Sequence, residues 1–349
     1  MADHLLTLNA GSSSFKFALF ARDGDLRQAA LAGQVDGIGT RSGPATHAQA
    51  LALVLARLGD ARVAAVGHRI VHGGVGFVQP VHIDDAVIEA IAALQPLAPL
   101  HQPHNLAGVH AARTAFAGVP QVACFDTAFH RTMPELNQRF ALPAALHDAG
   151  IRRYGFHGLS YESIVAQLIA ADPVRALART VVAHLGNGAS LCAIEGGRSV
   201  ATTMSFSPLD GLPMGTRCGR LDAAAVLHLI GQQGRSVDAV AHLLYRESGL
   251  LGLSGVSSDM RELEASPAPG AKLAIDYFVE QVLHELAAMA AALRGIDRLV
   301  FTGGIGENAA ALRQRIIDGA AWMGPIEVLV LHTDEESVIA RHTRQSLAD

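Results

Sequence analysis

The sequence predicts a duplicated α/β architecture of two domains, and three observations carry that prediction. Two stretches roughly half the chain apart share one layout: an apolar strand, a tight turn of polar and glycine residues, and a second apolar strand. They are LLTLNAGSSSFKFALF, from Leu5 to Phe20, and VVAHLGNGASLCAIEGG, from Val181 to Gly197. Each delivers an Asn with neighbouring Gly or Ser to a strand tip, and the chain then folds back as a hairpin. Apolar runs of strand type alternate with helical periodicity in both halves, and 349 residues fit two domains of roughly 150 residues each. Such turns offer successive backbone N–H groups to an anion, because glycine has no Cβ and accepts φ > 0. Two of them in one chain suggest a nucleotide held between the halves, and phosphoryl transfer is the leading expectation.

The elements follow in order. The first hairpin ends in the turn residues Arg22, Asp23 and Gly24, and a third strand is expected over roughly Leu26 to Val35. A helix near Thr46 to Leu58 places Ala50, Leu51, Val54, Leu55 and Leu58 on one face. VAAVGHRIVHGG is a short apolar run closed by Gly73 and Gly74, and His68 and His72 on this extended segment do not share a face, which argues against a zinc site. PLAPLHQPHN, Pro96 to Asn105, reads as an extended loop or the start of a helix because it carries three prolines. VPQVACFDTAFH, Val119 to His130, reads as a buried strand presenting Asp126, and TMPELNQRFALP as an irregular crossover between domains. The second half repeats the order: a helix near Tyr161 to Ile169, the second hairpin, then further helices, the best being Lys272 to Arg294. RLVFTGGIGEN reads as strand and Gly-rich turn leading into a helix from Ala309 to Ile317. A last strand, Glu327 to Leu331, precedes a capped terminal helix in TDEESVIARHT.

Composition narrows the function classes. Half the residues are hydrophobic and 17% are charged, enough for a large core without staples, while aromatics make up only 5%. The net charge of −5 argues against a nucleic-acid partner, which normally demands a basic face. Cys124, Cys192 and Cys218 form no C-x-x-C pair and suit buried thiols in a reducing compartment. The amino terminus MADHLLTLNAGSSS lacks the pattern of a signal peptide, and LAAMAAAL, Leu286 to Leu293, is too short to span a bilayer. The expectation is a soluble, cytoplasmic protein with no membrane partner.

Several strings could carry chemistry. In NAGSSSFKF, Lys16 could reach a β- or γ-phosphate and Asn9 could hold a Mg²⁺ ion or its water, although a plain hairpin with a solvent lysine explains it as well. HLGNGAS, His184 to Ser190, sits at the equivalent place in the second half. FTGGIGEN offers N–H groups at a helix start. Its Gly304-x-Gly306-x-x-Ala309 spacing also fits a loose dinucleotide fingerprint, but only 40 residues follow Ala309. No G-x-x-x-x-G-K-S/T loop occurs. Arg69, between apolar neighbours, and Arg217, in a loop of Gly and Pro, must each find an anion because a guanidinium cannot shed its charge. One on a carboxylate and one on a phosphoryl group would suit acyl-phosphate chemistry; internal salt bridges are the alternative. Asp126 and His157 complete the centre.

Together these strings resemble the acetate kinase family, also called acetokinases or carboxylate kinases, of the actin-like, sugar-kinase and Hsp70 superfamily. NAGSSSFKF, GHRIVHGG, APLHQP, FDTAFH, YGFHG, HLGNG, SPLDGLPMGTRCG, FTGGIGEN and TDEESVIAR run in the family's order across nearly the whole chain. The resemblance implies two RNase H-like (actin-like ATPase) domains with an interdomain active-site cleft. Residues 1–130 plus 331–349 would form the carboxylate and metal side, and 131–330 the nucleotide side. It implies reversible transfer of the ATP γ-phosphoryl group to acetate, giving acetyl phosphate and ADP, with Mg²⁺ or Mn²⁺ held by Asn9 and Glu335. Asp126, His157 and Arg217 would be catalytic. Asp126 would orient the arginines or the metal, since an ionised carboxylate substrate has no proton to surrender. Arg69 would bind the carboxylate, with Val71, Leu100, Phe156 and Pro208 around the acyl tail. The nucleotide would meet Lys16, the turn His184, Leu185, Gly186, Asn187 and Gly188, then Asp259, Met260 and Arg261, and the string Gly304, Ile305, Gly306, Glu307 and Asn308. A homodimer is implied as well.

The sequence also departs from the family pattern. The segment between Trp322 and Glu327 is short, Arg220 replaces an acid after TRCG, GLSY stands where GTSH is usual, and APLHQP replaces APLHNP. Rival readings are a propionate or butyrate kinase, and a non-catalytic sensor that binds nucleotide or acyl phosphate on the same scaffold. A dehydrogenase reading rests on the GIGENA string alone.

Overall fold

A computed structural model describes residues 3–348. The chain divides into two compact units. The first comprises the chain up to Arg131, Gly158–Ser163 and the chain from Asp334; the second comprises Thr132–His157 and Ile164–Thr333.

The first unit is built on a six-stranded sheet in the order β3-β2-β1-β4-β6-β5. The strands are β1 (Asp3–Ala10), β2 (Ser14–Ala21), β3 (Leu31–Asp36), β4 (Arg62–Ile70), β5 (Val81–His82) and β6 (Gln121–Phe125). β1, β2 and β3 form an antiparallel meander, whereas β4 runs parallel to β1 and β6 parallel to β4. The period-2 alternation of β1 sorts its side chains. Leu6, Leu8 and Ala10 pack with Phe15, Phe17, Leu51 and Val54, the last two from the helix His47–Leu58. Leu5 packs on the other face with Ala18, Phe20 and Ala340 of the terminal helix Glu335–Ser346. That helix lies close against β4 because residue 67 is glycine: a Cβ there would stand 2.2 Å from Thr343 Oγ1 and 2.6 Å from Ile339 Cγ2.

The second unit repeats the topology. β7 (Thr180–Leu185), β8 (Ala189–Glu195) and β9 (Arg198–Thr202) form an antiparallel meander, β10 (Arg298–Thr302) runs parallel to β7, and β11 (Glu327–Val330) parallel to β10. The order is β11-β10-β7-β8-β9. A meander whose first strand pairs in parallel with the next strand in the chain is the RNase H-like arrangement, and each unit has it. The longest helix, Pro269–Ala292, buries Ala271, Ala274, Phe278, Val282, Leu286 and Met289 at spacings of three and four residues. Among the described residues no helix is long and apolar enough to cross a membrane. Cys124 and Cys192 are fully buried, and burial raises both thiol pKa values, that of Cys192 to about 12.

Some element boundaries differ from the sequence reading. The third strand starts at Leu31: Leu26 is buried, but it packs in a turn with Leu5 and Phe20 rather than joining a ladder. In Val119–His130 only Gln121–Phe125 is strand, and Ala128–Thr132 turns as a 3₁₀-helix. The Gly-rich turn after β10 is itself a short helix, Gly303–Asn308, because the Glu307 carboxylate accepts the Gly303 N–H at 2.9 Å and satisfies a first-turn donor. The crossover segment contains a short helix, Glu135–Gln138. The abbreviated segment before β11 closes as a 3₁₀ turn, Ala321–Met323, followed by Gly324 at φ +91.

Candidate active site

The expected site residues fall into two clusters, one within each unit. In the first unit the parallel strands β1, β4 and β6 end on the same edge of the sheet and deliver Asn9, Arg69 and Asp126 there. Arg69 Nη2 donates to Asp126 Oδ2 at 2.5 Å and Nε lies 3.1 Å from both carboxylate oxygens, while Nη1 donates to Asn9 Oδ1 at 3.2 Å. Glu335, at the start of the terminal helix, approaches Arg69 Nε at 3.5 Å and accepts a hydrogen bond from Ser160 Oγ. The Asp126 side chain is only 1% exposed. Burial and the charge of Glu335 push its pKa up to about 6, against the pull of Arg69. At Arg69 the balance of causes is reversed: burial alone would lower its pKa, but the charges of Asp126 and Glu335 outweigh burial and raise it.

Asn9 and Glu335 supply an amide oxygen and a carboxylate, a donor set that suits a hard divalent cation completed by water and phosphate oxygens. Lys16 pairs with Asn9 across β1 and β2, with its side chain in solvent. Glu336 feels its charge; burial and Glu335 nevertheless raise the Glu336 pKa. Val71 is buried and Leu100 half-buried, both in this unit. Asn105 and Gln102, the latter the departure in APLHQP, were given no role from the sequence, yet they hold this edge together. Asn105 accepts the Val71 N–H at 2.9 Å and donates to Ala10 O at 2.8 Å, and Gln102 donates to His72 O at 2.9 Å. Both come from the first turn of the helix Gln102–Ala115, and buried amides flanking a helix-starting proline were the available signal. Ser160 and Glu336 were missed too. Tyr161, the departure in GLSY, fills the core, with its ring edge-on to His130 at 5.6 Å.

In the second unit the turn between β7 and β8 carries the other cluster. His157 caps the helix Gly158–Ala171 in a left-handed conformation, φ 60, uncommon for a residue with a side chain and frequent at functional sites. Its Nδ1 shares a hydrogen bond of 2.9 Å with Ser190 Oγ, and its ring lies 4.4 Å from that of His184. Gly188 lets the arginine and histidine converge: a Cβ there would stand 2.6 Å from Arg217 Nη2 and 3.3 Å from His157 Nε2. Arg217 Nη1 donates to Pro208 O at 2.6 Å. Among the described residues no carboxylate pairs with Arg217, and burial lowers its pKa to about 10. Phe156 and Pro208 are buried in this unit.

Beside this turn lies a cleft of about 740 Å³ lined by Gly186, Asn187, Asp259, Met260, Arg261, Gly304, Ile305 and Asn308, with Ser258, Glu264 and Ala309 in addition. Asp259 caps the helix Met260–Ala265 and pairs with Arg261 at 2.5 Å. The structure does not bring every expected nucleotide residue to this cleft. The Leu185 side chain is fully buried in the core and Gly306 is buried behind the wall. Glu307 turns back onto Gly303 N and His332 Nδ1, both at 2.9 Å.

The acetokinase family model matches residues 4–344. The acetate kinase of Methylocella silvestris is 48% identical and covers 98% of this chain and 98% of its own. That alignment runs over 394 positions against 349 residues here, so the relative carries stretches that this chain lacks. A propionate kinase from Francisella tularensis superposes with a TM-score of 0.92 at 35% identity, covering 98% of this chain and 99% of that one. The acetate kinase of Porphyromonas gingivalis gives 0.89 at 35% identity, covering 99% and 100%. On a match of this length and identity, the chain belongs to the acetokinase family.

Proposed function

We propose that this chain reversibly transfers the γ-phosphoryl group of ATP to acetate, forming acetyl phosphate and ADP. The observation that carries the mechanism is Arg217, a guanidinium with no carboxylate partner among the described residues, held beside His157 at a glycine turn. In that setting it answers the negative charge spread over the equatorial oxygens of the transferring group, and His157 donates to the same oxygens. Arg69 binds the acetate carboxylate. Asp126 holds Arg69 in place by its two-oxygen contact and takes no proton, since acetate reacts as the carboxylate. Lys16 reaches the phosphates, and the backbone of the 186–188 turn with the cleft residues cradles the nucleotide. Asn9 and Glu335 hold Mg²⁺, or Mn²⁺ on the same oxygen donors. Bound there, the ion supplies charge neutralisation at the phosphate oxygens.

Val71, Leu100, Phe156 and Pro208 are the residues proposed to meet the acyl methyl. Discrimination per methylene by apolar contacts is worth only about 1–3 kcal/mol. Propionate is accordingly a second substrate, a reading favoured by the likeness to a propionate kinase. The enzyme is proposed to work as a cytoplasmic homodimer. The test is hydroxamate formation from ATP, Mg²⁺ and hydroxylamine with acetate, propionate, butyrate or no acid. Turnover highest with acetate and lost in Arg69→Ala supports the reading; no product with any acid, despite ATP binding, replaces it with a nucleotide sensor.

A further inference from the structure

Arg217 stands in a segment, residues 203–222, without regular secondary structure. Its position depends on how that segment is tied down. The N–H of Met214 donates to Arg217 O, and those of Ser248 and Cys218 join Thr216 O and Leu244 O respectively, each at 3.0 Å. The base of the loop is closed where the Arg220 N–H donates to Gly211 O at 2.8 Å. Gly219 makes that closure possible with φ +72, and a Cβ there would stand 2.6 Å from Leu212 O. The side chain of Arg220 then reaches the long helix Pro269–Ala292, where Nη1 lies 3.0 Å from Glu285 Oε1.

Glu285 is 3% exposed and is the one charged residue among the buried positions of that helix. Burial raises its carboxyl pKa and Arg220 opposes that rise; Asp210, Arg153 and His284 complete its charged surroundings. Asp210 belongs to the same loop, accepting from Ser205 Oγ at 2.5 Å and lying 3.7 Å from Arg153. A buried carboxylate requires a partner, and the partner here is the closing residue of the catalytic loop.

We propose that Glu285 is a positioning residue for catalysis: its ion pair with Arg220 clamps the base of the 211–220 loop to the long helix and so fixes the place of the Arg217 guanidinium. The inference rests on the reading of Arg217 given above. It also gives a role to Arg220, the residue that replaces an acid in the family pattern. A misplacement of about 1 Å in a group that stabilises a transition state costs up to about 100-fold in rate, whereas none of the residues proposed above to bind acetate or ATP lies at this loop's base.

The experiment measures kcat, KM for acetate and for ATP, and thermal unfolding for Arg217→Ala, Glu285→Gln, Arg220→Ala, Arg220→Lys and the double variant Arg220→Ala/Glu285→Gln. Expected are losses in kcat of about 10- to 100-fold for Glu285→Gln and Arg220→Ala, with both KM values within about threefold of the parent. The double variant should be no slower than the slower single one, because both remove the same clamp. Arg220→Lys, which keeps the charge, should recover most of the rate. Glu285→Gln leaves no buried charge and keeps the test sound should Arg220→Ala prove too unstable to assay. If Arg217→Ala loses at least about 100-fold in kcat while Glu285→Gln and Arg220→Ala stay within threefold, the clamp is refuted and the role of Arg217 stands. If Arg217→Ala itself retains the parental kcat, it is the reading of Arg217 that fails. Losses that multiply in the double variant, or that appear only as lowered thermal stability, also overturn the clamp.

Discussion

Replacing Arg69 by alanine strips the cation from a carboxylate that is 1% exposed and has Glu335 as a like-charged neighbour. Breaking a buried pair from one side costs about 3–5 kcal/mol, because the remaining charge keeps its desolvation penalty. Arg69 is 20% exposed, so water partly fills the truncated space, and the lower end, about 3 kcal/mol, is the expected loss at pH 8. For 349 residues unfolding together, at about 2.1 cal/mol/K of unfolding entropy per residue, that is about 1.4 °C per kcal/mol, or about 4 °C in Tm. The loss must depend on pH with a definite sign. The folded pKa of Asp126 is already raised to about 6 and rises further without Arg69. At pH 8 the native state therefore carries an uncompensated charge that the unfolded chain solvates freely. At pH 5 it takes up a proton and the penalty falls away. Thermal and urea unfolding at both pH values measure this, with Arg69→Ala/Asp126→Asn as the neutral control expected to regain most of the stability at pH 8. A deficit below 1 kcal/mol at pH 8, or one equal at pH 8 and pH 5, would refute the reasoning.

Other expectations follow from single positions. His68 is buried against Gln121 Oε1 at 2.7 Å, and burial lowers its pKa to about 4. Between that value and the ordinary 6.5 the unfolded chain binds the extra proton, so stability falls as pH drops through this window, by about 3 kcal/mol for this residue. In His68→Gln the dependence of the urea midpoint on pH from 6.5 to 4 should flatten; an unchanged slope contradicts it. Gly188→Ala puts a methyl 2.6 Å from Arg217 Nη2, the movable end of a side chain. Its cost should therefore appear in kcat, about 10- to 100-fold, with little change in Tm. Gly67→Ala instead drives a methyl into the terminal helix at Thr343 and Ile339, and should cost about 1–3 kcal/mol while raising the Mg²⁺ concentration needed for half-maximal rate, since Glu335 rides on that helix.

The features legible in the sequence were those with local signals. The meander-forming hairpins, the Asp334-capped terminal helix and the 3.6-residue periodicity of Pro269–Ala292 are each written in contiguous residues. Arg69 and Asp126 could be nominated because a charge inside an apolar run needs a partner, and the structure makes them partners of each other. The tertiary exceptions were hidden. Leu26 has the chemistry of a strand residue but serves a turn, and Glu307 in FTGGIGEN has the chemistry of a ligand but satisfies a helix terminus. Asn105 and Gln102 act on backbone groups of residues 71 and 72, some 30 positions away, a relation that no spacing rule encodes. Arg220 showed itself only as a departure, because its partner Glu285 lies on an otherwise apolar helix face.

The most direct test of the central claim is the reverse reaction with Arg217 altered: ATP formed from acetyl phosphate, ADP and Mg²⁺, followed beside ADP binding by calorimetry. The account predicts ATP synthesis by the parent chain and a fall of at least about 100-fold in kcat for Arg217→Ala, with the affinity for ADP within a few-fold. An Arg217→Ala enzyme that makes ATP at nearly the parental rate would contradict it.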